Sequence, residues 1–185
     1  MKVRVKGIYK ASDFPSTDGR PAPEAVELFS SLFPGVADPE IDDHHAGLAI
    51  TAHNPQLALL FAQLSRFMAL DLEWSKRADL RELAFATLHL KLNAAYPFES
   101  RLGAAKACGI SAEQLAMIPL WRNSTLFDAE QKLVIEYTNA VVAADVPEDL
   151  FKRVAAQYGE RGAVEFTSVI GFWSCWAMII NAIRP

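Results

Sequence analysis

From residue 54 onward the chain repeats one message: a helix start, apolar residues at helical spacing, a stop, and another start. Asn54-Pro55 sets a capping side chain before a proline, whose missing N–H costs nothing in a first turn. Ser111 with Gln114, and Asp128 with Gln131, form capping boxes in which paired side chains satisfy otherwise open N–H groups. Pro147-Glu148-Asp149 opens a further helix, with acid where the macrodipole favours it. No succession of alternating strands and no glycine-rich phosphate loop interrupts the series. The expected class is therefore all-α.

The elements follow from this punctuation. A short helix is expected from Pro23-Glu24 to about Phe33, ended by Pro34-Gly35. After Asn54-Pro55, apolar residues recur at Leu57, Leu60, Phe61, Leu64, Phe67 and Met68. A long helix should run from about Lys76 to Asn93, with Pro97 breaking the pattern before a helix over Phe98–Cys108 that Gly109 closes. The helix after Asp128 should reach about Val142. The last should span Gly162–Ala182, and being apolar nearly all round it should be buried. Residues 1–20 carry loop chemistry and read as an arm on the surface or across a neighbouring subunit; residues 21–185 read as one helical domain.

Composition narrows the function. The 18 basic and 22 acidic residues give a net charge of −4 without any concentrated basic face, which argues against nucleic acid as a partner. The N-terminus lacks the apolar core of a secretory signal, and Val169–Ile180 is short for a membrane span, so no membrane partner is expected. The two cysteines, Cys108 and Cys175, form no CxxC motif and read as buried free thiols in a reducing, cytoplasmic compartment.

The 76–93 segment is the most informative chemically. Glu82, His89 and Asn93 lie at spacings that put them on one helix face, with Ala86 between, among Leu80, Leu83, Phe85 and Leu88. A carboxylate and an imidazole in such surroundings need partners or a polar cavity. One reading is a pocket in which buried Glu82 carries a proton and His89 relays it. The other is a structural pair between packed helices. Arg101, one turn into the following helix, either holds Glu82 ionised, or forks onto a substrate carboxylate, or is an ordinary surface residue. Asp42-Asp43-His44-His45 with His53 has metal-binding residue types, but neighbouring His44 and His45 point apart, and no metal is expected. Trp173 and Trp176 read as core or interface anchors, or as surfaces on which a ligand stacks.

From about Asn54 to the C-terminus the chain resembles the carboxymuconolactone decarboxylase/AhpD superfamily. The resemblance rests on Ala52-His53-Asn54-Pro55, on Leu80-Arg81-Glu82-Leu83, and on Tyr96 through Gly109-Ile110-Ser111. Phe127-Asp128-Ala129-Glu130-Gln131 and the helix with Val169-Ile170-Gly171-Phe172 and Asn181-Ala182 complete it. These blocks span roughly two thirds of the chain, each loose alone and fairly specific in order and spacing. In peroxidase-type members a Glu precedes a CxxC pair and a His. Glu82 matches the Glu, while Ala94 and Pro97 stand at the cysteine positions and Arg101 at the His. Without an attacking and a resolving thiol, peroxidase activity is expected to be absent.

The resemblance implies an AhpD-like helical bundle that assembles as a homo-oligomer, a trimer or hexamer, with a pocket that brings Glu82, His89, Tyr96 and Arg101 together. The resulting expectation is a cofactor-independent lyase or decarboxylase acting on a small organic acid, aromatic or lactone-like. Glu82 would be its acid/base, His89 the relay and Tyr96 a hydrogen-bond donor, with Arg101, Asn93, Phe98 and Trp173 holding the substrate. The alternative is an oligomeric binding or assembly protein that kept the fold and lost the chemistry. Redox chemistry at Cys108 or Cys175 is a third, more distant reading.

Overall fold

A computed structural model describes residues 3–15, 19–42 and 45–183, and among these the chain is all-α, without a strand. The helices are α1 (Pro23–Leu32), α2 (Ala46–Thr51), α3 (Pro55–Arg66), α4 (Ala78–Lys91), α5 (Ala95–Ser100), α6 (Leu102–Ala107), α7 (Ala112–Met117), α8 (Ala129–Val142) and α9 (Glu148–Ile183). The chain gathers into two compact units, residues 1–66 with 179–185 and residues 67–178.

In the first unit, α1 and α2 pack on α3, and Ile8, Leu28, Phe29, Ile41, Ala49 and Ala58 form the core. The stretch read as a surface arm contributes to that core. Ile8 is buried, its N–H donates to the Ala49 carbonyl at 2.8 Å, and the Ile41 N–H donates to the Tyr9 carbonyl at 2.8 Å. Asn54 caps α3 as its sequence predicts, its Oδ1 accepting from the Leu57 N–H at 3.0 Å. Yet α3 buries Ala58, while Leu57, Leu60 and Leu64 remain exposed.

In the second unit, α4 packs along α8 and is the central helix: every residue from Glu82 to His89 is buried. Both predicted capping boxes form. The Gln114 N–H donates to Ser111 Oγ at 3.0 Å, and the Gln131 N–H donates to Asp128 Oδ1 at 2.8 Å. Trp74 lies flat on Phe166 at 3.9 Å and Trp173 lies flat on Phe85 at 4.4 Å, so aromatic stacking ties α9 to the 74–76 turn and to α4.

Several expectations need correction. The segment 98–108 is not one helix. It divides into α5 and α6 at Arg101, and Pro97 sits buried in the first turn of α5, where its ring disturbs no helical hydrogen bond. The last two predicted helices are both present as the two arms of α9, which meet at a kink at the non-helical Gly159 (φ 72°, ψ 168°). By length and composition alone α9 meets the criterion for a membrane-crossing helix, a criterion that a buried core helix meets as well. Its C-terminal half is not buried all round: Val164, Gly171, Cys175 and Met178 form an exposed stripe at spacings of three, four and seven. The two cysteines are free but not buried, Cys108 being partly exposed and Cys175 exposed.

Candidate functional site

The site is built on the N-terminal half of α4. Leu80, Leu83, Ala84 and Leu88 hold this helix in the core, so whatever shares its faces is buried with it. Glu82 is 1% exposed and His89, two turns later on the same face, is 2% exposed. A buried carboxylate is tolerable only if paired, and the pairing comes from two arginines.

Arg101 reaches Glu82 from the α5–α6 junction, where α5 has ended and the backbone turns (φ −103°, ψ −1°). Its Nε donates to Glu82 Oε2 at 2.9 Å and its Nη2 to Oε1 at 2.6 Å, the two-pronged fork that guanidinium geometry favours. Arg81 adds two longer bonds to Oε1, from Nη2 at 3.2 Å and Nε at 3.3 Å. Its Nη1 donates to the carbonyls of Ala69 at 2.6 Å and Ser75 at 3.0 Å, which locks the guanidinium in place. The carboxylate thus bonds to both cations rather than standing alone in an apolar pocket. Arg101 also lies over the Phe85 ring, 4.7 Å from its centre. Trp173 stacks on the same ring at 4.4 Å, so the guanidinium and the indole both pack on Phe85.

His89 has no comparable partner. Its Nδ1 is buried and makes no hydrogen bond. Burial, and after it the positive charge of Arg101, push the imidazole pKa down to about 3. The ring is therefore neutral at physiological pH, and a neutral imidazole offers one N–H and one lone pair. An orphaned buried nitrogen calls for an explanation, a functional one among them.

The candidate residues separate into groups. Glu82, Arg101 and Phe98 line one small cavity with Ala86, Leu102, Ala105 and Leu115; its volume is about 10 Å³, room for about one water. His89 is linked to this group through Arg101, and Trp173 through Phe85. Tyr96 is half-buried in α5. Asn93 is not on the α4 face: the helix ends at Lys91, and Asn93 is exposed with φ 52°, the left-handed conformation that asparagine tolerates just beyond a helix end. It terminates α4 rather than facing the site.

The sequence reading missed Arg81 and Phe85. An adjacent residue normally points elsewhere on a helix, but the long Arg81 side chain curls back to its neighbour, while Phe85 resembled any other core residue. Of the segment considered for a metal, Asp43 and His44 lie outside the described residues. His45 Nδ1 meets Asp42 Oδ1 at 2.7 Å, and His53 Nε2 meets the Lys6 carbonyl at 2.9 Å. Among the described residues no group of three metal-ligating side chains forms.

No known protein family's profile matches the chain, and no solved structure matches it. Over 75 residues it is 32% identical to the uncharacterized protein YnjA of Escherichia coli (strain K12). The match spans 40% of this chain and 41% of that protein, less than half of either.

Proposed function

We propose that the chain is an AhpD-like helical protein that performs cofactor-independent acid–base chemistry on a small organic acid at the Glu82–His89–Arg101 cluster. The observation that carries this reading is the convergence on one buried helix face of a carboxylate, a neutral imidazole with an unpartnered nitrogen, and a guanidinium that is still 33% exposed. Arg101 is the movable part. A substrate carboxylate competes with Glu82 for its fork, and as Arg101 turns outward the one-water cavity widens. Glu82, held from behind by Arg81, then has Oε2 free to accept a substrate proton. His89, about 10.5 Å further along α4, contributes a neutral imidazole beside Arg101 rather than a direct contact with the proton on Glu82, while Tyr96 donates a hydrogen bond and Phe98 and Trp173 supply the apolar wall.

The test is thermal stabilisation of the purified protein by aromatic acids, lactones and muconate-like compounds. A ligand at about 100 times its dissociation constant should stabilise the wild type by about 2.7 kcal/mol. The same compound should leave Arg101→Ala unshifted. No shift across the panel, with the protein folded and assembled, counts against the reading.

A second reading is favoured by two exposed apolar stripes, Leu57, Leu60 and Leu64 on α3 and Val164, Gly171, Cys175 and Met178 on α9. Exposed apolar side chains gathered on one helix face are a surface that association would cover. In this reading the chain is a homo-oligomeric binding or assembly protein, a trimer or hexamer, and Glu82 with its arginines is a structural clamp. Two unpaired thiols suit a cytoplasmic setting for either. Sedimentation of the wild type against Leu60→Glu distinguishes a required apolar interface from an incidental one.

A further inference from the structure

A second cleft, of about 390 Å³, is lined by Trp74, Arg77, Glu130, Tyr158, Arg161 and Glu165 among others, and shares no residue with the cavity beside Glu82. Its volume falls within the range of small-molecule sites, roughly 300–1,000 Å³. The wall is built by specific backbone geometry. Tyr158 immediately precedes Gly159, whose φ of 72° interrupts α9. A Cβ at Gly162 would lie 2.7 Å from the Tyr158 Cβ, so this wall needs glycine there. The Tyr158 ring stands edge-on to both Trp74 (6.3 Å) and Phe166 (6.1 Å), giving an aromatic floor.

The hydrogen bonds of the cleft are lopsided. Its carboxylates already accept. Glu165 takes the Trp74 backbone N–H at 2.9 Å and Arg161 Nε at 2.8 Å, and these outweigh the effect of burial and hold its carboxyl below the usual range. Glu130 takes Arg77 Nη1 and Gln157 Nε2, each at 3.3 Å. The open capacity belongs to donors. Trp74, only 5% exposed, has an indole Nε1–H without a partner, and so does the buried Tyr158 hydroxyl. Burial, and then the negative charge of Glu130, push the Tyr158 pKa up, so it keeps its proton; Glu130 and the Trp74 indole approach the hydroxyl without completing a hydrogen bond. The Arg161 side chain, 84% exposed, commits its Nε to Glu165 and leaves its terminal nitrogens toward solvent.

We propose that this cleft binds a small carboxylate with an apolar body, whose oxygens meet Arg161 and the Trp74 and Tyr158 donors while its body rests on the aromatic floor. Both donors belong to residues that line the cleft, and the half-buried Tyr158 ring has to turn to bring its hydroxyl to the ligand oxygen. The site is independent of the one at Glu82.

Benzoate is a suitable probe, titrated into the ¹⁵N-labelled protein while the indole N–H signals are followed, with Trp74 and Trp173 assigned from Trp→Phe variants. The Trp74 signal should move saturably. Arg161→Ala should weaken the binding by about tenfold or more, the scale of one lost charge-assisted hydrogen bond. Tyr158→Phe, which keeps the ring, should weaken it several-fold. An unmoved Trp74 signal overturns the proposal, as does movement confined to Trp173, which places the ligand at the Glu82 cluster. Equal movement with inorganic phosphate overturns the assigned ligand class.

Discussion

His89 makes the protein acid-sensitive in a defined window. In the unfolded chain its imidazole titrates near 6.5, and in the folded protein burial and Arg101 lower this to about 3. Between those values the unfolded state binds a proton that the folded state refuses. Stability therefore falls as pH falls, by about 1.4 kcal/mol per pH unit. From pH 6.5 to pH 4.5 the loss attributable to His89 is on the order of 2–3 kcal/mol, a large share of a typical domain's stability. Carboxylates held below their usual range, such as Asp79 beside Arg77 and Glu165 beside the Trp74 N–H and Arg161, contribute in the same direction but mainly at lower pH. Urea unfolding at half-unit pH steps, compared between the wild type and His89→Leu, isolates the histidine. The wild type should lose stability through this window while the variant stays nearly flat. If the two fall in parallel, His89 is not held neutral in the folded state and the account of its surroundings is wrong.

Three further outcomes follow from the geometry. Arg101→Ala strands Glu82 with only the longer Arg81 bonds and removes the guanidinium from the Phe85 ring; chemical denaturation should show a loss of about 3 kcal/mol, the low end for a broken buried pair. Asp128→Ala removes the α8 cap and should cost about 1 kcal/mol in the same assay, with Asp128→Asn nearly neutral. Gly159→Ala forces a side chain into a conformation reserved for glycine, and should lower the melting midpoint by the equivalent of about 1–3 kcal/mol.

The sequence conveyed most where the physics is local. Asn54, Ser111 and Asp128 cap the helices that their spacing predicts, because a cap is decided by residues within one turn of each other. For Arg101 it left three readings open, and the fork onto Glu82 is the one that the structure shows. It did not convey the exposure of α9 or α3, because apolar periodicity states that a face is covered without stating by what. Nor could it show that Arg101 would sit at a helix junction, that Asn93 would end α4, or that Trp74 and Tyr158 would share a cleft. The first two turn on where a local helix boundary falls, and the last on tertiary placement across more than 80 residues of chain.

The most direct test of the proposed chemistry is turnover of the panel acids and lactones by the wild type and by Glu82→Gln, with circular dichroism and sedimentation run on both. The account predicts that the wild type converts at least one compound and that Glu82→Gln, folded and assembled as before, does not. Equal turnover by the two proteins, or a variant that merely unfolds, would contradict it and leave Glu82 as a structural clamp.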